Sequence, residues 1–175
     1  MTIQGQFVVN NADYSPLSIF GVGTFMAYSG KADYRNHTGC VDVPNVGPIP
    51  QGRYHIVSRP TGGWKGVIRT DLHDFYSWFT PTPVLKAEWF ALFRDDGNVN
   101  DTTWINSVER GNFRLHPAGP MGISLGCITL QHRSDFLTIR QALLSTRKET
   151  LANGLVTYGH IEVILNGTKK CPIGN

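Results

Sequence analysis

Over the first 130 positions, hydrophobic and polar residues alternate in short runs, the period-two pattern of half-buried strands. Residues 6–10, 17–20, 24–27 and 53–58 each read as a strand, with turn-forming residues between them. Residues 88–94 (EWFALFR) form a strong strand pattern closed by the turn sequence Asp95-Asp96-Gly97-Asn98, and residues 113–116 form another. Between the third and fourth strands lies a polar stretch, residues 29–50, whose Pro44, Gly47, Pro48 and Pro50 exclude it from a sheet interior. The period then changes. Residues 134–151 carry Phe136, Ile139, Leu143, Leu144 and Leu151 at helical spacing. Ser134 suits the N-cap, Asp135 the positive helix end, and Asn153-Gly154 the stop. Residues 158–165 read as a last strand and residues 166–175 as a loose polar tail. The pattern predicts a mainly β chain, a β-sandwich or partly closed β-barrel, with one main helix. No linker or internal repeat divides residues 1–175, so a single domain is expected.

Composition narrows the function classes. Charged residues are 17% of the 175, while 19 glycines, 10 prolines and 19 aromatics point to a turn-rich chain with an aromatic core. Disordered, coiled-coil and collagen-like classes are excluded, and the composition argues against a helical bundle. The net charge is +3 and the lysines and arginines are scattered, so no nucleic-acid footprint is read. No apolar run approaches a membrane span, and the N-terminus has neither the basic nor the apolar region of a signal peptide. The three cysteines, Cys40, Cys127 and Cys171, include no C-x-x-C pair.

Candidate chemistry gathers in residues 114–130, RLHPAGPMGISLGCITL. His116 ends a strand, a glycine-rich loop follows, and the loop ends in Ser124-Leu125-Gly126-Cys127. A nucleophilic thiol needs a base, amide N–H groups aimed at the developing oxyanion, and a backbone that admits substrate. His116 is the candidate base, Gly126 removes a side chain beside the thiol, and the amides near Cys127 are candidate oxyanion donors. The plainer reading is a small buried cysteine and a structural histidine. His160 and Glu162, two apart on the last strand, are a second candidate base and orienter for Cys127, as in a papain-like amidase. Asp96, Asn98, Asn100 and Asp101 resemble a calcium loop but lack its glycine and its final glutamate, and a surface turn is the reading preferred. His37, His55, His73 and His132 show no metal-ligand spacing. Trp64, Trp78, Trp89 and Trp104 are core or groove residues, and the aromatic stretch Phe75, Tyr76, Trp78 and Phe79 is a candidate flap.

His116 followed by Ser124-x-Gly126-Cys127-Ile128 resembles the active-site signature of the YkuD-type L,D-transpeptidases. Three further segments are similar to the type VI secretion L,D-transpeptidase effectors, a family of antibacterial toxins. They are Phe25-Met26-Ala27-Tyr28-Ser29-Gly30, Gly47-Pro48-Ile49-Pro50-x-Gly52-Arg53-Tyr54 and Arg59-Pro60-Thr61-Gly62-Gly63. The resemblance covers about residues 5–165. It departs from the housekeeping enzymes at Thr129, where they carry arginine, and in its shorter His-to-Cys spacing. Arg114 is the candidate to supply the missing charge.

The resemblance implies an L,D-transpeptidase-type fold and a cysteine enzyme that needs no metal or cofactor. Cys127 would attack the bond between diaminopimelate and D-alanine in a peptidoglycan tetrapeptide stem. The thioester formed would pass to water (L,D-carboxypeptidase) or to a D-amino acid (exchange). His116 would be the base, Ser124 and Gly126 would shape the loop, and Arg114, Thr129, Tyr28 and Ser29 would line the substrate. The implied partners are a cognate immunity protein and the secretion apparatus. The implied itinerary is synthesis in the cytoplasm without a signal peptide, injection, and action in the periplasm of a target cell. A monomer is expected. Cys40 and Cys171 would be able to pair in that periplasm, with three free thiols the alternative. A non-catalytic wall-binding module that keeps only the fold is the reading from a different class.

Overall fold

The computed structural model describes residues 1–59, 88–119 and 122–171. The stretch 60–63 and the candidate flap, with Trp64, His73 and Trp78, lie outside the described residues. The described strands are β1 (Ile3–Val9), β2 (Ser15–Ile19), β3 (Gly23–Tyr28), β4 (Gly52–Ser58), β5 (Phe90–Arg94), β6 (Thr102–Ile105), β7 (Val108–Gly111), β8 (Arg114–Pro117), β9 (Ile128–Leu130), β10 (Glu149–Thr150) and β11 (Val156–Leu165). Among the described residues one α-helix, α1 (Arg133–Ser145), follows β9.

Eight of these strands close into a barrel in the order β1-β2-β3-β9-β8-β5-β4-β11, with β11 returning to β1. The β1–β11 and β8–β9 pairs are parallel; the other neighbours in the ring are antiparallel. Closure removes the exposed edges that an open sandwich would leave. Alternation along the strands supplies the interior: Phe7 and Val9, Leu17 and Ile19, Ile56, Leu92, Leu115, Ile128, Leu130 and Ile161 are fully or almost fully buried in one cluster. The barrel form of the expected fold is therefore the one observed.

The helix is shorter than its periodicity predicts. Phe136, Ile139 and Leu143 bury one face against the same cluster, and the helix packs on β8, β9 and β11. It ends at Ser145, however, and Leu144 is exposed. Its N-cap is His132 rather than Ser134. Asn153-Gly154 is not a helix stop but the turn of a hairpin that pairs β10 with β11, closed by the Leu151 amide donating to the Leu155 carbonyl at 2.8 Å. Asn-Gly is a strong signal for that turn as well.

The tail expected to be loose is tied down as far as Cys171. A disulfide joins Cys171 to Cys40, and the Thr38 hydroxyl donates to the Thr168 carbonyl at 2.6 Å. The loop over residues 29–50, with its two short 3-10 turns Ala32–Tyr34 and Thr38–Cys40, is thereby held beside the barrel.

Candidate active site

Register across three strands builds the site. His116 on β8 lies directly opposite Thr129 on β9, and Thr129 lies directly opposite Tyr28 on β3. Opposed residues share a face, so Tyr28, Thr129 and His116 stand in one row. Trp89, just before β5, extends it: its ring stacks on the His116 imidazole at 4.3 Å with 22° between the planes. The alternate positions, Ala27, Leu130, Ile128 and Leu115, belong to the core, so Tyr28, Thr129 and His116 occupy the opposite face of the sheet, while Trp89 also packs into the core cluster. All four side chains of the row are nonetheless buried.

The tautomer of His116 follows from its partners. Nδ1 lies 2.8 Å from the Pro117 carbonyl oxygen, which only accepts, so Nδ1 carries the proton and donates. Nε2 is left with its lone pair and accepts from the Thr129 hydroxyl at 3.3 Å. Burial opposes the imidazolium most strongly; the Pro117 carbonyl favours it, and the Arg114 cation opposes it further. The net effect pushes the pKa down to about 4, so His116 is neutral at pH 7.

Cys127 lies two residues before Thr129. It immediately precedes β9 and is near enough to disfavour ionisation of Tyr28. The thiol is buried, with Sγ 3.8 Å from the Asn112 carbonyl. The turn before it is fixed from both sides. The Ser124 hydroxyl donates to the Cys127 carbonyl at 2.9 Å, so Ser124 shapes the turn. Gly126 has φ +89°, and a Cβ there would lie 2.9 Å from Nη2 of Arg110 and 3.1 Å from the Phe113 ring. Only glycine meets both demands without displacing a neighbour. Arg110, on β7, donates to the carbonyls of Val41, Gly47 and Pro48, which clamps the loop against the cysteine turn. Desolvation lowers its pKa to about 10, which leaves it charged at neutral pH.

Several of the expected substrate contacts also hold structural partners. Arg114 forms a bidentate pair with Asp101, two N–H···O bonds of 2.6 Å, which anchors the start of the β6–β7 hairpin. Ser29 is fully buried; its hydroxyl accepts from the Ile49 amide at 2.7 Å and its amide donates to Asn36, so it braces the loop. Thr129 is also fully buried, and its hydroxyl faces His116. Tyr28 is brought into the row. His160 and Glu162 are not brought to Cys127: they lie on β11, four strands from β9 whichever way the ring is followed, and Glu162 pairs with Arg53 at 2.6 Å. In the stretch that resembles a calcium loop, Asp96 accepts from the Asn98 amide and from the Thr103 hydroxyl on β6, and Asn100 accepts from the Thr102 amide and hydroxyl. No group of metal-ligating side chains occurs among the described residues.

Sequence reasoning missed Arg110, Trp89 as the partner of His116, and Arg35. Arg35 donates to the Gly122 carbonyl at 3.1 Å and stacks on Tyr28. Local pattern carries no signal for contacts formed between segments this far apart in the chain.

Fold and site together define a closed barrel in which a buried thiol follows a glycine turn just before β9 and a buried, neutral imidazole stands on the neighbouring strand β8. Residues 23–154 match the Tlde1 domain, and the chain belongs to that family of type VI secretion effectors, which is L,D-transpeptidase-like. A search of curated proteins returned no match. No described helix is long and apolar enough to cross a membrane.

Proposed function

We propose that the chain is an antibacterial enzyme that cleaves the bond between diaminopimelate and D-alanine in peptidoglycan tetrapeptide stems. Cys127 is the nucleophile and His116 the base. The observation that carries this reading is the orientation of His116: Nδ1–H is held by the Pro117 carbonyl, and the lone pair on Nε2 points to Thr129, two residues after Cys127.

The thiol proton passes to Nε2 as sulfur attacks the carbonyl carbon. Amides of the Ser124–Leu125–Gly126–Cys127 turn stabilise the oxyanion. Collapse breaks the C–N bond, Nε2–H protonates the departing D-alanine amine, and a thioester remains on Cys127. Water, deprotonated by Nε2, then releases the tripeptide stem and restores the thiol. A free D-amino acid in place of water gives exchange. The neutral resting state suits this sequence, because a base must begin without its proton. Family membership supports the setting: an injected toxin with a cognate immunity protein, acting in the periplasm of the target.

The test is D-alanine release from purified tetrapeptide muropeptides, followed by mass spectrometry. His116→Ala is expected to abolish release and His160→Ala to retain it; the reverse pattern would overturn the assignment. Binding of muropeptides without release by the intact protein would favour a wall-binding module.

A further inference from the structure

Among the cations near the cysteine turn, Arg110 is committed to three loop carbonyls and Arg114 to Asp101. Arg35 differs. It follows the 3-10 turn Ala32–Tyr34, is half-buried, and holds its guanidinium carbon 4.2 Å from the centroid of the Tyr28 ring. No carboxylate pairs with it among the described residues. Its Nε and the Tyr28 hydroxyl are both buried polar atoms with no hydrogen-bond partner. Such a pair of donors is costly unless something supplies acceptors. Burial also pushes the Tyr28 pKa up to about 12, against the pull of Arg35, so the phenol keeps its proton and can donate.

The two groups converge on Gly122. A Cβ at that position would lie 3.8 Å from both Arg35 Nη2 and Tyr28 Oη, and the backbone there has φ +59°. A guanidinium and a phenol O–H beside a residue without a side chain make a cradle of donors for an anionic group with more than one acceptor oxygen. Tyr28 is also the third member of the row that contains Thr129 and His116, so the cradle adjoins the proposed reacting atoms.

We propose that Arg35, with Tyr28 beside it, binds the terminal carboxylate of the D-amino acid that leaves when Cys127 attacks the preceding carbonyl. The inference rests on the Cys127–His116 reading above and deepens it. An enzyme that removes a chain-terminal residue has to tell that end from an internal peptide bond, and the carboxylate is the group that differs. Exchange reverses the first half-reaction with a new amine, so the same cradle receives the carboxylate of the incoming D-amino acid.

The test compares a tetrapeptide stem ending in a free carboxylate with the same stem ending in a carboxamide. Binding to Cys127→Ala protein, by calorimetry, is expected to favour the acid by roughly 10- to 100-fold, the range for hydrogen bonds to a charged group. Arg35→Gln added to that protein should erase the preference by weakening the acid alone. Arg35→Lys should keep part of it, and Tyr28→Phe should reduce it less. Equal affinity for both stems, no binding of either, or an Arg35→Gln variant that weakens both equally would overturn the proposal. Should Arg35→Gln fail to fold, the acid–amide comparison and Arg35→Lys still decide. A parallel assay of D-alanine or D-alaninamide release by the Cys127-intact protein separates the two readings. No release, with Arg35-dependent acid binding, sinks the reaction and leaves the carboxylate site; release from both stems at equal kcat/KM sinks the carboxylate site alone.

Discussion

His116 shows how burial and one backbone carbonyl prepare a side chain for a task. The Pro117 carbonyl fixes the tautomer, Trp89 covers one ring face, and desolvation keeps the ring neutral far below its ordinary range. If His116 is the base, the acid limb of kcat/KM should fall near pH 4, and a limb near the ordinary 6.5 would show that the ring ionises as in water. Stability carries the same signature. The folded pKa lies below the unfolded value, so between the two the unfolded chain binds the extra proton. Acidification through that window should lower stability, by about 3 kcal/mol for a shift of this size. Urea unfolding at pH 7 and pH 4 should show this loss reduced in His116→Gln, and an unchanged pH slope would contradict it. Thr129→Val removes the hydroxyl from Nε2 while keeping the shape, and should lower kcat about 3- to 10-fold with little change in KM.

The cysteine turn and the clamp around it are features of elements. Gly126→Ala adds a Cβ against Arg110 and Phe113 at a positive φ, and should cost about 2–3 kcal/mol in denaturant unfolding. A loss below about 0.5 kcal/mol would mean that the turn relaxes freely. The elements that set this geometry differ in how legible they are in the sequence. Alternation makes β4 readable, a continuous apolar run makes β5 readable, and the closeness of His116 and Cys127 in the chain makes them candidates for one site. β9 is only three residues long, below the length at which a period shows. The β6–β7 hairpin turns on Asn106 and Ser107, both at positive φ, without the glycine that usually announces such a turn. The helical spacing overshoots the helix because Leu151 keeps it by chance while lying beyond β10. The Arg114–Asp101 pair is not legible locally because the two lie 13 residues apart across a hairpin.

At the scale of the molecule, ring closure and the disulfide act together. The link between Cys40 and Cys171 spans 131 residues and ties the loop that Arg110 clamps to the far end of the chain. In the chain-entropy model a loop of that length is worth about 3–5 kcal/mol, so reduction, or Cys40→Ser with Cys171→Ser, should lower the urea midpoint accordingly. Activity should fall with it, because Val41, beside Cys40, is one of the carbonyls that Arg110 holds against the cysteine turn. Full activity and unchanged stability after verified reduction would separate the disulfide from the site. A disulfide of this kind persists in an oxidising compartment, which agrees with the periplasmic action proposed for this effector.

The central claim is that Cys127 becomes acylated by the stem it cleaves. Rapid mixing with tetrapeptide stem, acid quench and intact-mass measurement tests it most directly. The account predicts a transient adduct of the tripeptide acyl group on Cys127, formed together with the first equivalent of D-alanine and absent from Cys127→Ala and His116→Ala. D-alanine released at full rate by Cys127→Ala, with no adduct on the unaltered chain at any time, would contradict it.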